Sequence, residues 1–408
     1  MTEDDIRSND SKSLNVSKIQ NAPFCMTGIG AVVFFGLGAA HAQSGNPSAQ
    51  QTPKSALVAP SEKAESAMKT ANPQMQAVLD KLAKLGAKPL GSQSVAETRR
   101  GPSPADAVKA VLVEQGKDPS ALIAQMGVKT QETSYPTVGG AQNLRIYTPT
   151  VENQTILPVI VYFHGGGWVI ADLDTYDASA RGLAQKTGAI VASVEYRRAP
   201  ENHFPAAHDD SVAAYRWVVQ NAASFGGDAK RIAVAGESAG GNLAINVAIA
   251  ARDQQLQAPL HVLLVYPVAG TDMTTPSYNI NENAVPLGKR GMAWFVSHVL
   301  AKPSDAKDTR LALVGAANVA GLPPTTVIAA EIDPLLSEGK ALADKLAKVG
   351  VVTTYTNFPG VAHEFFGMAA VVADADTAQE LAAAKLREAF SIDGRAAQGG
   401  IVPERVRQ

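Results

Sequence analysis

Between residues 144 and 359 the chain carries seven short apolar runs: LRIYTPT (144–150), PVIVYFHGGG (158–167), AIVASVEYR (189–197), RIAVAGES (231–238), LHVLLVYPV (260–268), TTVIAAE (325–331) and TTYTNFP (353–359). Several are almost continuously apolar, which suits a strand only when both faces of its sheet are covered. Most intervals between them place apolar residues at helical spacing, and such alternation predicts an α/β architecture, a mostly parallel sheet flanked by helices. The interval 269–322 has no clear strand but contains an aromatic helical patch, GMAWFVSHVL, and reads as an insertion capping the sheet. Upstream, MQAVLDKLAKLG and ADAVKAVLVEQG, within residues 73 to about 127, predict two or three short helices whose apolar faces need a partner.

The ends differ from this body. Residues 43–72, rich in Ser, Gln, Pro, Ala and Lys, lack hydrophobic periodicity and read as a flexible linker, and 391–408 as a loose tail, leaving 73–390 as the folded domain. Residues 22–42 are uncharged and largely apolar, and Ala40-His41-Ala42 fits a signal-peptidase site, so residues 1–42 read as a secretion signal and the mature chain as periplasmic or secreted. The preceding segment departs from the short positive type, carrying Glu3, Asp4, Asp5 and Asp10 against Arg7, Lys12 and Lys18. An uncleaved membrane anchor is the alternative, because an apolar run of about 18 residues lies near the lower limit for spanning a bilayer.

Composition excludes several classes of function. Thirty-six basic residues nearly balance 38 acidic ones, so no field collects nucleic acid or an anionic membrane, and a neutral or weakly polar small molecule is the better partner. Cys25 is the only cysteine, which rules out an intramolecular disulfide framework and a cysteine-based zinc site.

Gly236-Glu237-Ser238-Ala239-Gly240 fits G-x-S-x-G, a pattern too short to mean much alone. Its context strengthens it. The apolar strand RIAVA precedes it and the helical pattern NLAINVAIAARD follows, the strand, sharp turn and helix that a nucleophile elbow requires. Ser238 at a helix N-terminus would meet backbone amides that favour developing negative charge, which suits acyl transfer.

A serine nucleophile of this kind needs an acid and then a histidine further along the chain. Of seven histidines only His261, His298 and His363 follow Ser238. His261 begins a strand and His298 lies in the amphipathic patch, so both read as structural, whereas His363 sits in PGVAHEFFG after the last strand and is the candidate base. Among the intervening acids only Glu331 and Asp333 close a strongly apolar strand. Asp333, fixed by Pro334 in the following turn, leads over Glu331, which still belongs to the strand end. Asp209 and Asp210 read as solvated charges at a helix end.

His164-Gly165-Gly166-Gly167-Trp168 follows PVIVYF, and consecutive glycines expose backbone amides that side chains would shield. A phosphate loop is the competing reading, but the lysine of G-x-x-x-x-G-K-[ST] is missing. HGGGW, YRRAPENHFPAAHDD (196–210), GESAGGN (236–242), DPLLSEG (333–339) and GVAHEFF (360–366), taken in order, resemble the hormone-sensitive-lipase family of α/β-hydrolase-fold esterases over roughly residues 75–390. The resemblance implies that Ser238, Asp333 and His363 are catalytic, that the amides of Gly165, Gly166 and Ala239 form an oxyanion hole, that His164 is structural, and that the N-terminal helices build part of a cap. It also implies a serine carboxylesterase for short-to-medium-chain acyl esters. One position departs: Glu237 stands where the family commonly has Asp, one methylene shorter.

The expected reaction needs neither metal nor organic cofactor. Amide, lactone or carbamate cleavage and acyl transfer to another acceptor are the enzymatic alternatives, and a non-catalytic ligand-binding module on the same fold is the alternative from another class. A homodimer is left open, and no stable membrane partner is expected.

Overall fold

The computed structural model describes residues 68–152 and 156–398. The signal segment, most of the linker, Cys25 and residues 399–408 therefore lie outside the described residues.

The N-terminal part forms four short helices rather than two or three: α1 (Pro73–Lys84), α2 (Val95–Arg100), α3 (Pro104–Glu114) and α4 (Pro119–Gln125). Each begins on a side chain that accepts from the first-turn backbone, Asn72, Ser94, Ser103 and Asp118, and α2 and α3 have full capping boxes with Glu97 and Asp106. Short helices of this size are marginal alone, and α1 and α3 gain stability by burying Met75, Val78 and Leu82 together with Val108, Val111 and Leu112.

Eight strands follow: β1 (Val128–Thr137), β2 (Gly140–Pro149), β3 (Leu157–Phe163), β4 (Ile190–Val194), β5 (Gly227–Glu237), β6 (Val262–Val265), β7 (Thr325–Ile332) and β8 (Thr353–Ala362). They form one sheet in the order β1-β2-β4-β3-β5-β6-β7-β8. β1 and β2 are antiparallel to their neighbours and β4, β3, β5, β6, β7 and β8 run parallel. β1 is the strand that the pattern of apolar runs does not reveal: it is a sheet edge, mostly exposed, and only Tyr135 of VKTQETSYPT is buried.

Helices α5 (Asp177–Thr187), α6 (Ala206–Asn221), α7 (Ala239–Asp253), α8 (Pro276–Ile280), α9 (Lys289–Val299), α10 (Leu336–Lys348) and α11 (Ala373–Gln398) complete the fold. The side chains of β3 alternate between two cores. Val159, Val161 and Phe163 join the side containing α6, α7 and α10, while Ile160 and Tyr162 join the side of α5, α11, α1 and α3. This two-sided burial explains the continuous apolar runs. α11 runs to Gln398, so the first eight residues of the segment 391–408, expected to be a loose tail, are helical. No helix among the described residues is long and apolar enough to cross a membrane.

From β3 the chain crosses to β4 on one side, and from β5 to β6 on the other. The carboxyl ends of β3 and β5 therefore flank the switch point of the sheet, where outgoing loops part and leave a crevice. HGGGW leaves β3 there and Ser238 leaves β5.

Candidate active site

Ser238 is the N-cap of α7, with φ 56° and ψ −119°. A non-glycine residue holds that left-handed geometry only when its surroundings enforce it. Here the enforcement comes from backbone proximity. A Cβ on Gly236 would lie 2.1 Å from the Gly240 carbonyl oxygen, and a Cβ on Gly240 would lie 2.0 Å from that of Phe163. The flanking glycines thus let α7 start hard against β5 and β3, with the serine hydroxyl above the sheet edge.

The structure brings the three sequence candidates together. His363 directly follows β8 and Asp333 directly follows β7. His363 Nε2 lies 3.0 Å from Ser238 Oγ, and Nδ1 lies 2.6 Å from Asp333 Oδ2. Nδ1–H donating to Asp333 leaves Nε2 to accept from the serine hydroxyl. The other carboxylate oxygen of Asp333 accepts from the Leu335 amide at 2.8 Å, which sets the plane of the carboxylate. Burial opposes charging of His363, but the charge and hydrogen bond of Asp333, then the charges of Glu364 and Glu237, outweigh it and raise the imidazole pKa above its ordinary 6.5.

Glu331 points elsewhere. Its Oε2 accepts the Gly360 amide at 2.8 Å, at the irregular end of the β7–β8 ladder. His261 bonds Thr326 Oγ1 at 3.0 Å, and His298 bonds the Trp294 carbonyl at 2.8 Å within α9, so neither reaches Ser238.

In the loop after β3, Gly165 and Gly166 are glycines for reasons of space. A Cβ at 165 would lie 2.2 Å from the Tyr176 hydroxyl, and one at 166 would lie 2.3 Å from the Ile170 carbonyl oxygen. Gly166 also has φ 89°. The amides of Gly165, Gly166 and Ala239 donate to no acceptor among the described residues. Buried amides are rarely left so, and the three are available to a ligand oxyanion. His164 is buried, bonds the Gly165 carbonyl through Nδ1 at 2.9 Å and stacks on Tyr196 with ring centroids 4.3 Å apart.

Asp210 is not a solvated helix-end charge: it is buried and holds Arg197 through the backbone amide at 3.0 Å and the guanidinium Nη2 at 2.7 Å. The adjacent Asp209 does face solvent. Asp210 therefore pins the turn after β4, where Arg197 would otherwise be an unanchored cation.

Glu237 is buried beneath the nucleophile. Tyr162 donates to its Oε1 at 2.6 Å and Tyr266 to its Oε2, so the longer side chain is fully engaged. Burial still pushes its pKa up to about 7, although those hydrogen bonds pull the other way. Tyr266 in turn packs on His363, ring centroids 4.5 Å apart. Glu364, Tyr176 and these two tyrosines were not picked out from sequence. The only cue was position, since Glu237 and Glu364 adjoin Ser238 and His363.

The N-terminal helices and the insertion meet over this edge. Arg290 of α9 donates to the Gly91 carbonyl at 2.9 Å, and Arg99 of α2 donates to the carbonyls of Val169 and Ala199, each at 2.8 Å. Phe295 covers the glycine loop so closely that a Cβ on Gly167 would lie 2.3 Å from its ring. A cavity of about 510 Å³ lies among α3, α4, α5 and the segment after His363, lined by Val108, Leu112, Leu122 and Ile123 together with Tyr176, Glu237 and Glu364. No cluster of three or more His, Cys, Asp or Glu side chains among the described residues is disposed to hold a metal ion.

Comparison with known proteins agrees with this architecture. The family described as alpha/beta hydrolase fold matches residues 160–367. Carboxylesterase NlhH of Mycobacterium tuberculosis is 39% identical over 282 residues, 68% of this chain and 88% of that protein. Ethyl acetate hydrolase of Pseudomonas putida is 34% identical over 235 residues, 57% of this chain and 74% of that protein. Among solved structures, a hyperthermophilic esterase from Pyrobaculum calidifontis superposes with a TM-score of 0.68 at 32% identity, covering 78% of this chain and 99% of its own.

Proposed function

This chain belongs to the α/β-hydrolase-fold family, as a hormone-sensitive-lipase-like carboxylic ester hydrolase, and we propose that Ser238, His363 and Asp333 carry its reaction. The observation that supports this most is the continuous chain from Ser238 Oγ through His363 to Asp333, at 3.0 Å and 2.6 Å, with the serine at the helix N-terminus beside unpaired amides. Ser238 Oγ attacks the ester carbonyl while His363 Nε2 takes its proton. The amides of Gly165, Gly166 and Ala239, which donate to no acceptor among the described residues, bind the oxyanion. Collapse of the tetrahedral intermediate expels the alcohol, which receives the proton from His363. Water, deprotonated by the same imidazole, then cleaves the acyl-enzyme and returns the free acid. No step calls on a metal or an organic cofactor.

Short-to-medium acyl esters are the substrates we assign. The support is a largely apolar cavity of about 510 Å³ whose lining includes Glu237 and Glu364, the chain neighbours of Ser238 and His363, and a cap that covers the glycine loop. The apolar segment 22–42 with its Ala40-His41-Ala42 site further supports a periplasmic or secreted enzyme. Hydrolysis of p-nitrophenyl esters from acetyl to palmitoyl tests the assignment, with the maximum expected between two and about eight carbons. Ser238→Ala should abolish both hydrolysis and fluorophosphonate labelling; retained turnover in that variant overturns the mechanism, and a maximum at palmitoyl overturns the substrate class.

A further inference from the structure

Five of the six non-glycine residues with positive φ among the described residues, Trp168, Ala171, Ser238, Tyr266 and Glu364, stand in the loops leaving the carboxyl ends of β3, β5, β6 and β8. Strained backbone that persists is held by its surroundings, and an observed outlier is a reason to look for a task. Ser238 has one. Glu364, φ 73°, immediately follows His363 and has none in the reaction as described.

The strained turn aims the Glu364 carboxyl back at the site. Its Oε1 lies 3.9 Å from His363 Nε2, the nitrogen that exchanges the proton with Ser238, on the opposite side of the ring from Asp333. The same oxygen accepts a hydrogen bond from the buried Tyr176 hydroxyl at 2.7 Å. That hydroxyl in turn lies against the α-carbon of Gly165, where a Cβ would approach it to 2.2 Å. Residues 188 positions apart thus join the histidine loop to the oxyanion loop through one hydrogen bond and one close packing contact.

Building on the serine-hydrolase reading above, we propose that Glu364 and Tyr176 are a positioning pair: the Glu364 carboxylate stabilises the imidazolium from its reacting side and holds Tyr176 as a strut beneath Gly165. Two consequences separate. The charge of Glu364 favours protonated His363, whereas the Tyr176 hydroxyl, neutral throughout, sets only where the glycine amides stand. The other ionisable groups facing His363 are Asp333 at the end of β7, Glu237 at the end of β5 and Tyr266 after β6; His164, after β3, faces Glu364 instead. These remain in every variant below.

The test is the pH profile of kcat/KM with kcat and KM resolved, alongside fluorophosphonate labelling of Ser238. Glu364→Gln keeps an acceptor for Tyr176 but removes the charge, so the acid limb should move to lower pH by on the order of one unit. Tyr176→Phe keeps the charge but removes the strut, so kcat should fall about tenfold with KM and the acid limb in place. Should Glu364→Gln not accumulate as folded protein, Glu364→Asp keeps the charge at shorter reach, and the limb should stay while kcat falls. An unmoved limb in Glu364→Gln, a moved limb in Glu364→Asp, or a loss in Tyr176→Phe confined to KM overturns the pair. Labelling keeps the two readings apart: if the wild-type enzyme does not label at Ser238, the mechanism itself fails, whereas normal labelling with unaltered variant profiles removes only the positioning pair.

Discussion

Replacing Glu237 by Gln should invert its effect on stability between acid and alkaline pH. The Glu237 carboxyl is buried and accepts from Tyr162 and Tyr266. Burial raises its pKa from 4.5 to about 7. A displacement of that size corresponds to about 3 kcal/mol between the two protonation states. An acid whose pKa is higher in the native state binds its proton more tightly there than when unfolded. The wild-type protein therefore has the full contribution of this group below about pH 4.5 and loses about 3 kcal/mol as pH climbs through 7. Gln does not titrate. Its carbonyl can serve one tyrosine as that of the protonated acid does, but its NH₂ carries two protons where the acid carries one, and the extra buried donor costs about 1 kcal/mol. At pH 4 the variant should be less stable than wild type by about 1 kcal/mol, the two should match at about pH 5, and at pH 8 the variant should be more stable by about 2 kcal/mol. Urea or thermal midpoints of both proteins at pH 4, 5, 6, 7 and 8 read the crossover, and groups common to both cancel in the difference. A gap constant across this range, or one that widens against the variant as pH rises, refutes the reasoning.

Asp333→Asn should lower kcat by about 10³ to 10⁴, because the asparagine no longer holds the tautomer or stabilises the imidazolium, while Glu331→Gln should cost less than tenfold. Steady-state kinetics on a short p-nitrophenyl ester decide between them, and a larger loss from Glu331→Gln would reassign the acid. Gly240→Ala should destabilise by about 2 kcal/mol or more, since the new Cβ would meet the backbone carbonyls of Phe163 and His164 rather than a yielding side chain; an unchanged thermal midpoint would contradict the packing argument. N-terminal sequencing of the enzyme recovered from its producing cells should begin at Gln43, after Ala42, and an intact Met1 in a membrane fraction would favour the anchor instead.

The central strands were legible because a sheet covered on both sides demands apolar side chains at every position, as in VIVYF of β3 or IAVA of β5. β1 was not, because an edge strand with one buried residue needs no such pattern; its place is set by backbone pairing with β2 from Val128 to Thr137. The three catalytic candidates could be ordered from sequence because each directly follows a strand, and strand ends at the carboxyl edge are where side chains can converge. Choosing Asp333 over Glu331 rested on a proline turn, and the geometry explains the choice: successive residues of an extended chain point to opposite faces, so Glu331 and Asp333 share a face, and the chain must leave the strand between them for only one to reach the ring. Asp210 was misread because a carboxylate at a helix start looks solvated until its partner, Arg197, is placed in space.

The motifs visible in the chain are those that backbone geometry demands. Glycine at 165, 166, 236 and 240 is required because a carbonyl, a hydroxyl or a neighbouring strand occupies the space of a Cβ, and this requirement is local enough to appear as HGGG and GESAG. The groups that set the charge and position of the machinery obey a different constraint. Tyr162, Tyr176 and Tyr266 are ordinary core residues by composition, and only closure of the fold puts their hydroxyls on Glu237 and Glu364. A single sequence of this kind therefore locates acyl-transfer chemistry through its glycines while leaving its tuning unread. Enzymes sharing the glycine pattern can differ in pH range and acyl preference through buried hydroxyl and carboxyl pairs that no short motif records, and the Glu237 and Glu364 variants measure how much of that tuning resides there.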